Sequence, residues 1–286
     1  MIRAPHFIEI FTKDFFGGRC IKPRRGGSNE TDRNQGEIMQ LQLLRNATLR
    51  LNYAGRTILV DPCLGAKGSL PTVAGIQANP TVDLPVTVEK LLEGIELTVI
   101  SHLHPDHFDP AGISHLPKTM PILCHPAHLK EIEEHGFTAA RTLTEEVAEG
   151  ALTIAPTTGQ HGTGEVLAKM GTVMGFILKA ENEPTVYWAG DTVLTPEVIE
   201  IVHKTGPDVI VTHSGAATIA NTLLLMDDAQ TVELYRHAGE AIFIAVHMEA
   251  FDHCAVTRDR LRATANLAGI PSHRLLIPAD GEQIEL

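Results

Sequence analysis

Six consecutive residues, His102-Leu103-His104-Pro105-Asp106-His107, concentrate three imidazoles and a carboxylate in a chain of 286 residues with 15 histidines but one tryptophan and three tyrosines. Residues two apart share a face of an extended chain, so His102 and His104 can grip one ion together. Pro105 then breaks the extended run and lets Asp106 and His107 turn toward a neighbouring position. Imidazole nitrogen combined with carboxylate oxygen suits Zn²⁺, Mn²⁺ or Fe²⁺, and the absence of a cysteine cluster speaks against a closed structural zinc.

The same chemistry recurs where apolar runs end. Thr-Ile-Leu-Val is followed by Asp61, Leu-Thr-Val-Ile-Ser by His102, Val-Tyr-Trp-Ala-Gly by Asp191, Val-Ile-Val-Thr by His213 and Phe-Ile-Ala-Val by His247. Side chains at the carboxyl ends of strands collect along one rim of a sheet, where open α/β folds place their sites. The elements that must position them are strands expected over 40–44, 48–53, 57–60, 97–100, 121–124, 152–155, 172–178, 185–188, 209–211, 241–246 and 274–277. Helices are expected over 86–92, 126–134, 196–203, 229–237 and 258–268, the last capped by Thr257. Their interleaving, without a strict βαβ repeat, predicts a mixed sheet with helices outside it. The Gly/Pro-rich stretch 65–85 reads as a loop that lids or lines a site. No internal repeat is visible, and the sequons at Asn29 and Asn46 carry no weight without a secretion signal.

Composition bounds the function. With 43% hydrophobic and 20% charged residues the chain can build a sizeable core. No run approaches ~18 uncharged apolar residues, so no membrane partner is expected. A net charge of -12 repels polyphosphate and disfavours nucleic acid. Cys20, Cys63, Cys124 and Cys254 are scattered without a CxxC pair, which reads as free thiols in a reducing compartment. Glu9 and Lys13 interrupt the only N-terminal apolar stretch, so a cytoplasmic location is expected. Residues 1–38, seven basic against five acidic, lack apolar periodicity and read as a flexible N-terminal extension with no role in the chemistry, preceding one domain over 39–286.

The hexad is joined by Ile-Leu-Val-Asp-Pro at Asp61, Gly-Gln-His-Gly at His161, Ala-Gly-Asp-Thr at Asp191 and the late strand-end His247. Together these resemble the metallo-β-lactamase superfamily, in particular its UlaG-like metal-dependent hydrolase branch, from residue 40 to 286. The resemblance implies an α/β fold, a four-layer αββα sandwich with the metal site on one edge of the sheets. It makes His102, His104 and His161 ligands of a first metal, Asp106, His107 and His247 ligands of a second, and Asp191 the bridge. Two divalent ions follow, zinc foremost, with manganese or iron as alternatives. True β-lactamases lack the bridging aspartate, flavodiiron proteins need Glu where His104 stands, and the basic residues by which glyoxalase-II-like enzymes hold glutathione are not recognisable. The tRNA-processing members use a His-Glu-Ala-Thr element and a basic arm, neither of which is present. No G-x-S-x-G surrounds Ser214, so a serine nucleophile is not expected.

Two such ions ~3.5–4 Å apart would share a water and lower its pKa toward ~7. The expected reaction is hydrolysis of an ester, lactone or phosphodiester bond in a small molecule by that metal-bridged hydroxide. Asp106, His213 or His253 is expected to protonate the leaving group. His213 has the alternative of supporting a ligand, His253 competes with His247 for the second metal, and Asp61 is expected to orient a ligand histidine. His115, His125, His128, His135, His203, His237 and His273 read as surface residues, and Cys63 as a small buried one. The run Leu223–Met226 lines an apolar pocket, makes a homo-oligomer contact or packs in the core. Specificity is expected in loops 65–85, 162–170 and 216–226. The competing readings are a non-catalytic metal-binding or regulatory protein, against which the survival of all seven ligands speaks, and an RNA-processing nuclease, against which the acidic charge speaks.

Overall fold

The first apolar runs fold into an antiparallel meander of β1 (Gln40–Arg45), β2 (Thr48–Tyr53) and β3 (Arg56–Val60). Strands β4 (Leu97–Ile100), β5 (Ile122–Cys124) and β6 (Ala140–Thr142) add to it in parallel. Their crossovers carry α1 (Val88–Leu92), α2 (Pro110–His115) and α3 (Leu129–Glu134). The second half repeats this layout. Strands β7 (Val147–Glu149), β8 (Leu152–Thr158), β9 (Met174–Lys179) and β10 (Val186–Trp188) are antiparallel, with α4 (Gly164–Met170) between β8 and β9. Helix α5 (Pro196–Thr205) leads to β11 (Val209–His213), which lies parallel to β10. A short hairpin, β12 (Thr218–Ile219) and β13 (Thr222–Leu223), precedes α6 (Asp228–His237), β14 (Ile242–Val246), α7 (Arg258–Leu267) and β15 (Leu275–Leu276). β16 (Gln283–Glu285) returns to pair with β1. This computed structural model describes residues 39–286; the extension expected over 1–38 lies outside the described residues.

The result is two seven-stranded sheets, ordered β16-β1-β2-β3-β4-β5-β6 and β15-β14-β11-β10-β9-β8-β7. The period of two along each strand decides which layer a side chain enters. Leu41, Leu43, Ile58 and Val60 of the first sheet meet Phe176, Trp188, Val211 and Val246 of the second in one central core. The intervening Leu44 and Leu59 face α1–α3, and Ile210, Phe243 and Ala245 face α5–α7. Strands buried on both faces read as continuous apolar runs, as β4, β11 and β14 do. The architecture is the αββα sandwich.

Several boundaries differ from expectation for local reasons. The helix expected from residue 86 starts at Val88, because the Thr87 side chain accepts the Lys90 N–H as its cap. The one expected over 126–134 divides into a 3₁₀ turn, Pro126–His128, and α3. Thr257 caps α7 as expected, accepting from Arg260 N. Helices α2 and α4 and strands β6, β7, β12, β13 and β16 were not expected; each is seven residues or shorter, too brief for a periodic pattern to emerge. Among the described residues no helix is long and apolar enough to cross a membrane.

Candidate metal centre

Asp61 follows β3, Ser101 and His102 follow β4, His213 ends β11 and His247 follows β14, so the carboxyl ends of parallel strands in both sheets supply one rim. Two further loops complete it. Val193 N donates to Gln160 O at 2.9 Å and Gln160 N to Thr192 Oγ1 at 2.9 Å, which ties the loop of His161 to that of Asp191. Gly190, at φ 68°, makes the turn that brings Asp191 inward after β10. Asp61 and His247 also sit at positive φ, 47° and 62°, a backbone state that ordinary residues adopt at a cost and that clusters at functional sites.

The seven residues expected as ligands converge in two sets. His102 Nε2 lies 3.0 Å and His161 Nε2 3.2 Å from His104 Nδ1. His107 Nε2 lies 3.2 Å from His247 Nε2, and Asp106 Oδ2 is 3.2 Å from His247 Nε2 and 3.8 Å from His107 Nε2. Asp191 stands between the sets, its Oδ2 3.3 Å from His107 Nε2, 3.6 Å from His161 Nε2 and 3.9 Å from His102 Nε2.

The outward nitrogens are tied down. Asp61 Oδ1 accepts Ser101 N–H at 2.7 Å, while its Oδ2 accepts both the Ser101 hydroxyl at 2.7 Å and His107 Nδ1–H at 2.8 Å. With its proton committed to Asp61, Ser101 Oγ accepts His102 Nδ1–H at 3.0 Å. His161 Nδ1–H donates to Leu224 O at 2.9 Å. These bonds hold Nδ1 of His102, His107 and His161 outward and aim Nε2 of each inward. In the first set, one proton on His104 Nδ1 could serve only one of its two imidazole neighbours, whereas a cation satisfies all three lone pairs.

Electrostatics agree. Burial lowers His102 well below the ordinary histidine range, with His107 adding to the effect against the pull of Asp191, and burial likewise lowers His104. At His107 burial is outweighed by Asp191, Asp106 and Asp61, which push it up to about 10. At His247 burial is outweighed by Asp191 and Cys254, which hold it well above the usual range. Burial would raise Asp106 and Asp191, but the surrounding imidazoles hold both far below the carboxylate range. The carboxylates thus demand positive charge at the second set, and a divalent cation meets that demand in place of a proton. The donor set of imidazole nitrogen and carboxylate oxygen fits zinc, manganese or iron.

Beside the two sets lies a cavity of about 300 Å³, lined by His104, Asp106, His161, Asp191 and His253 and walled by Leu70, Pro71, Val73, Met170, Ile219, Leu224 and Phe251. Among the described residues no lysine or arginine lines it. His253 reaches it with Nδ1 unpartnered and Nε2 4.0 Å from Asp106 Oδ2. His213 does not line the cavity; its Nδ1–H donates to Asp191 Oδ1 at 2.6 Å while its ring stands edge-on to Trp188. His213 is buried against Asp191 and forms, with His107, Asp191 and His247, one close group of residues able to hold a metal ion. Asp61 lies behind His107 rather than among the converging atoms. None of His115, His125, His128, His135, His203, His237 and His273 is buried, whereas Cys63 is. Leu224, Leu225 and Met226 are buried.

Three contributors escaped the sequence reading. Ser101 was legible only as the end of an apolar run, yet it relays Asp61 to His102. Asn46, at φ 57° in the β1–β2 turn, donates Nδ2–H to Asp106 O at 3.2 Å and accepts His247 N–H on its own carbonyl at 3.0 Å. A buried asparagine in a tight turn was the available signal. Gly215 lets the chain pass His247 so closely that a Cβ there would lie 1.9 Å from the His247 carbonyl oxygen.

Residues 56–248 match the profile of the beta-lactamase superfamily domain. The UPF0173 protein YddR of Bacillus subtilis (strain 168) is 33% identical over 251 residues, covering 85% of this chain and 98% of that protein. A crystal structure described as a possible metal-dependent hydrolase from Veillonella parvula DSM 2008 superposes with a TM-score of 0.84 at 35% identity, covering 87% of this chain and all of the other. Isothiocyanate hydrolase from Delia radicum gut bacteria superposes with a TM-score of 0.81 at 34% identity, covering 87% of this chain and 99% of the other. The chain belongs to the metallo-β-lactamase superfamily, among its metal-dependent hydrolases.

Proposed function

We propose that the chain holds two divalent ions, zinc foremost, and hydrolyses small uncharged molecules at an electrophilic carbon: esters, lactones or isothiocyanates. His102, His104 and His161 would hold one ion, Asp106, His107 and His247 the other, and Asp191 would face both. Within the superfamily we place it in the UlaG-like branch. When bound, such ions supply Lewis acidity and a water whose pKa approaches ~7. Asp61 and Ser101 anchor the outward nitrogens of His107 and His102, so that Nε2 of each faces inward. The apolar wall of Leu70, Val73, Leu224 and Phe251 orients an apolar substituent and excludes competing water. His253, unpartnered at Nδ1, is placed to hand a proton to the departing heteroatom.

The observation that carries this reading is the conjunction of two converging groups, His102, His104 and His161 and, beside them, His107, Asp191, His213 and His247, with an adjoining cavity that is apolar and free of basic side chains. A phosphodiester carries a negative charge that such a wall does not counter, so the carbon electrophiles are favoured over it. The likeness to isothiocyanate hydrolase adds one specific candidate. Water added to the central carbon of an isothiocyanate yields a thiocarbamate, which releases an amine and carbonyl sulfide. The test is a panel of allyl and phenethyl isothiocyanate, p-nitrophenyl acetate, γ-butyrolactone and bis(p-nitrophenyl) phosphate, with and without a chelator. Chelator-sensitive turnover of a carbon electrophile ahead of the phosphodiester is expected. Metal bound without turnover of any compound would instead favour a binding or regulatory module.

A further inference from the structure

We infer that Asp252 sets the substrate range of the cavity by pinning the loop of residues 70–79 as its wall, an inference that rests on the cavity's being the substrate site. Asp252 lies between Phe251 and His253, both of which line the cavity. Its Oδ1 accepts Val73 N–H at 3.0 Å, Ala74 N–H at 3.2 Å and Asn79 Nδ2–H at 2.9 Å. Its Oδ2 accepts the Thr72 hydroxyl, Ile76 N–H at 3.2 Å and Gln77 N–H at 3.3 Å. Its own N–H donates to Asn79 Oδ1 at 2.9 Å. One carboxylate therefore takes four backbone amides and two side chains from a single ten-residue loop.

That loop has few other supports. Its ends meet through a pair of hydrogen bonds between Leu70 and Asn79, while Val73 and Ile76 at its tip are exposed. Among the described residues no cationic side chain forms an ion pair with Asp252, so the N–H and O–H dipoles of the loop are its counter-charge. Hydrogen bonds to an ionised acceptor are about twice as strong as neutral ones, which makes this carboxylate the dominant tie. The same loop contributes Leu70, Pro71 and Val73 to the cavity. Asp252 thus couples those three side chains to Phe251 and His253, and touches no substrate itself.

The test uses the zinc-loaded protein with Asp252→Asn and Val73→Ala, and two probes, acetohydroxamate and 4-phenylbutyrohydroxamate, titrated calorimetrically. Asp252→Asn should speed hydrogen exchange of the amides at 73, 74, 76 and 77 and cut the preference for the phenyl-bearing probe by about tenfold. Val73→Ala, which leaves the pin intact, should cut that preference without speeding exchange. In turnover of phenethyl against methyl isothiocyanate the loss should fall on KM rather than kcat. An Asp252→Asn protein whose loop exchanges faster but whose probe preference is unchanged overturns the inference, as does a loop whose exchange does not respond. Should Asp252→Asn fail to fold, Thr72→Val removes one donor to the same carboxylate and must move both readouts in the same direction. If the wild type hydrolyses none of the panel the proposed function fails, while the hydroxamate ratio still decides the role of Asp252.

Discussion

Asp61 Oδ2 lies 2.8 Å from His107 Nδ1, and both residues are fully buried. The carboxylate has no role among the converging atoms, yet it governs two of them. It takes the His107 proton directly and the His102 proton through the Ser101 hydroxyl. Asp61 pays for this position with a backbone at φ 47°, held by Thr48 Oγ1–H donating to its carbonyl at 2.6 Å.

Asp61→Asn should therefore weaken metal binding by about 10–100-fold, because the amide cannot accept on both oxygens. Competition against a chromogenic chelator measures it, and wild-type affinity in the variant would remove Asp61 from the design.

His247 and His253 separate metal binding from proton transfer. His247→Ala should lose metal and activity together, since Nε2 faces His107, Asp106 and Asp191. His253→Gln should retain metal while kcat falls by about 10²–10⁴-fold. Elemental analysis beside steady-state kinetics distinguishes the two, and metal loss in His253→Gln would assign that residue to the ligands instead.

Bound metal should stabilise the fold by mass action, by about 2.7 kcal/mol at a free concentration one hundred times Kd. Zinc is expected to raise Tm in the wild type and to raise it less in the His102→Ala, His104→Ala double variant, which keeps only the set of Asp106, His107 and His247, as read by calorimetric melting with and without a chelator.

Gly215→Ala should destabilise the fold by about 1–3 kcal/mol, since its Cβ would lie 1.9 Å from the His247 carbonyl oxygen, a backbone atom that cannot swing aside. Reduced metal retention should accompany the lower Tm. A variant with wild-type Tm would show that the segment relaxes freely.

The carboxylate of Asp228 joins α6 to α7 through Arg260 and Thr264. Burial opposes its ionisation, but hydrogen bonds from Thr264 and Arg260 prevail and hold it below the usual carboxylate range. A carboxylate depressed in the folded state contributes stability above its unfolded pKa of ~3.9 and loses it as pH falls through the folded value. The Tm difference between wild type and Asp228→Asn should thus be full at pH 6 and shrink below pH 4. A difference that grows on acidification would contradict the assignment.

Asp61, His102, Asp191, His213 and His247 were legible because they follow or end apolar runs, and His104, Asp106 and His107 because they crowd one hexad, patterns that survive in one dimension. The strand pattern by itself predicted a mixed sheet with helices outside it, since strands packed on both faces read as apolar runs, and the αββα layering came from the family resemblance. The repeated layout of the two halves was not visible, because a topology is shared by sequences that have only burial in common. The short elements β6, β7, β16, α2 and α4 were equally hidden, since sheet pairing and caps define them rather than periodicity.

The sequence by itself showed the dense His102–His107 cluster and the strand-end Asp61, Asp191, His213 and His247, and the family resemblance added His161. Tertiary structure decided what stands behind and beside them. Asp61 and Ser101 anchor the outward nitrogens of His107 and His102, His213 backs Asp191, Asn46 links Asp106 to His247, and Asp252 ties down a loop whose Asn79 lies 173 positions away from it in the chain. The difference has a physical cause. A ligand announces itself by its own chemistry and its place after a strand, whereas a supporting hydrogen bond depends on a partner brought near by folding, and nothing local in the sequence records that distance.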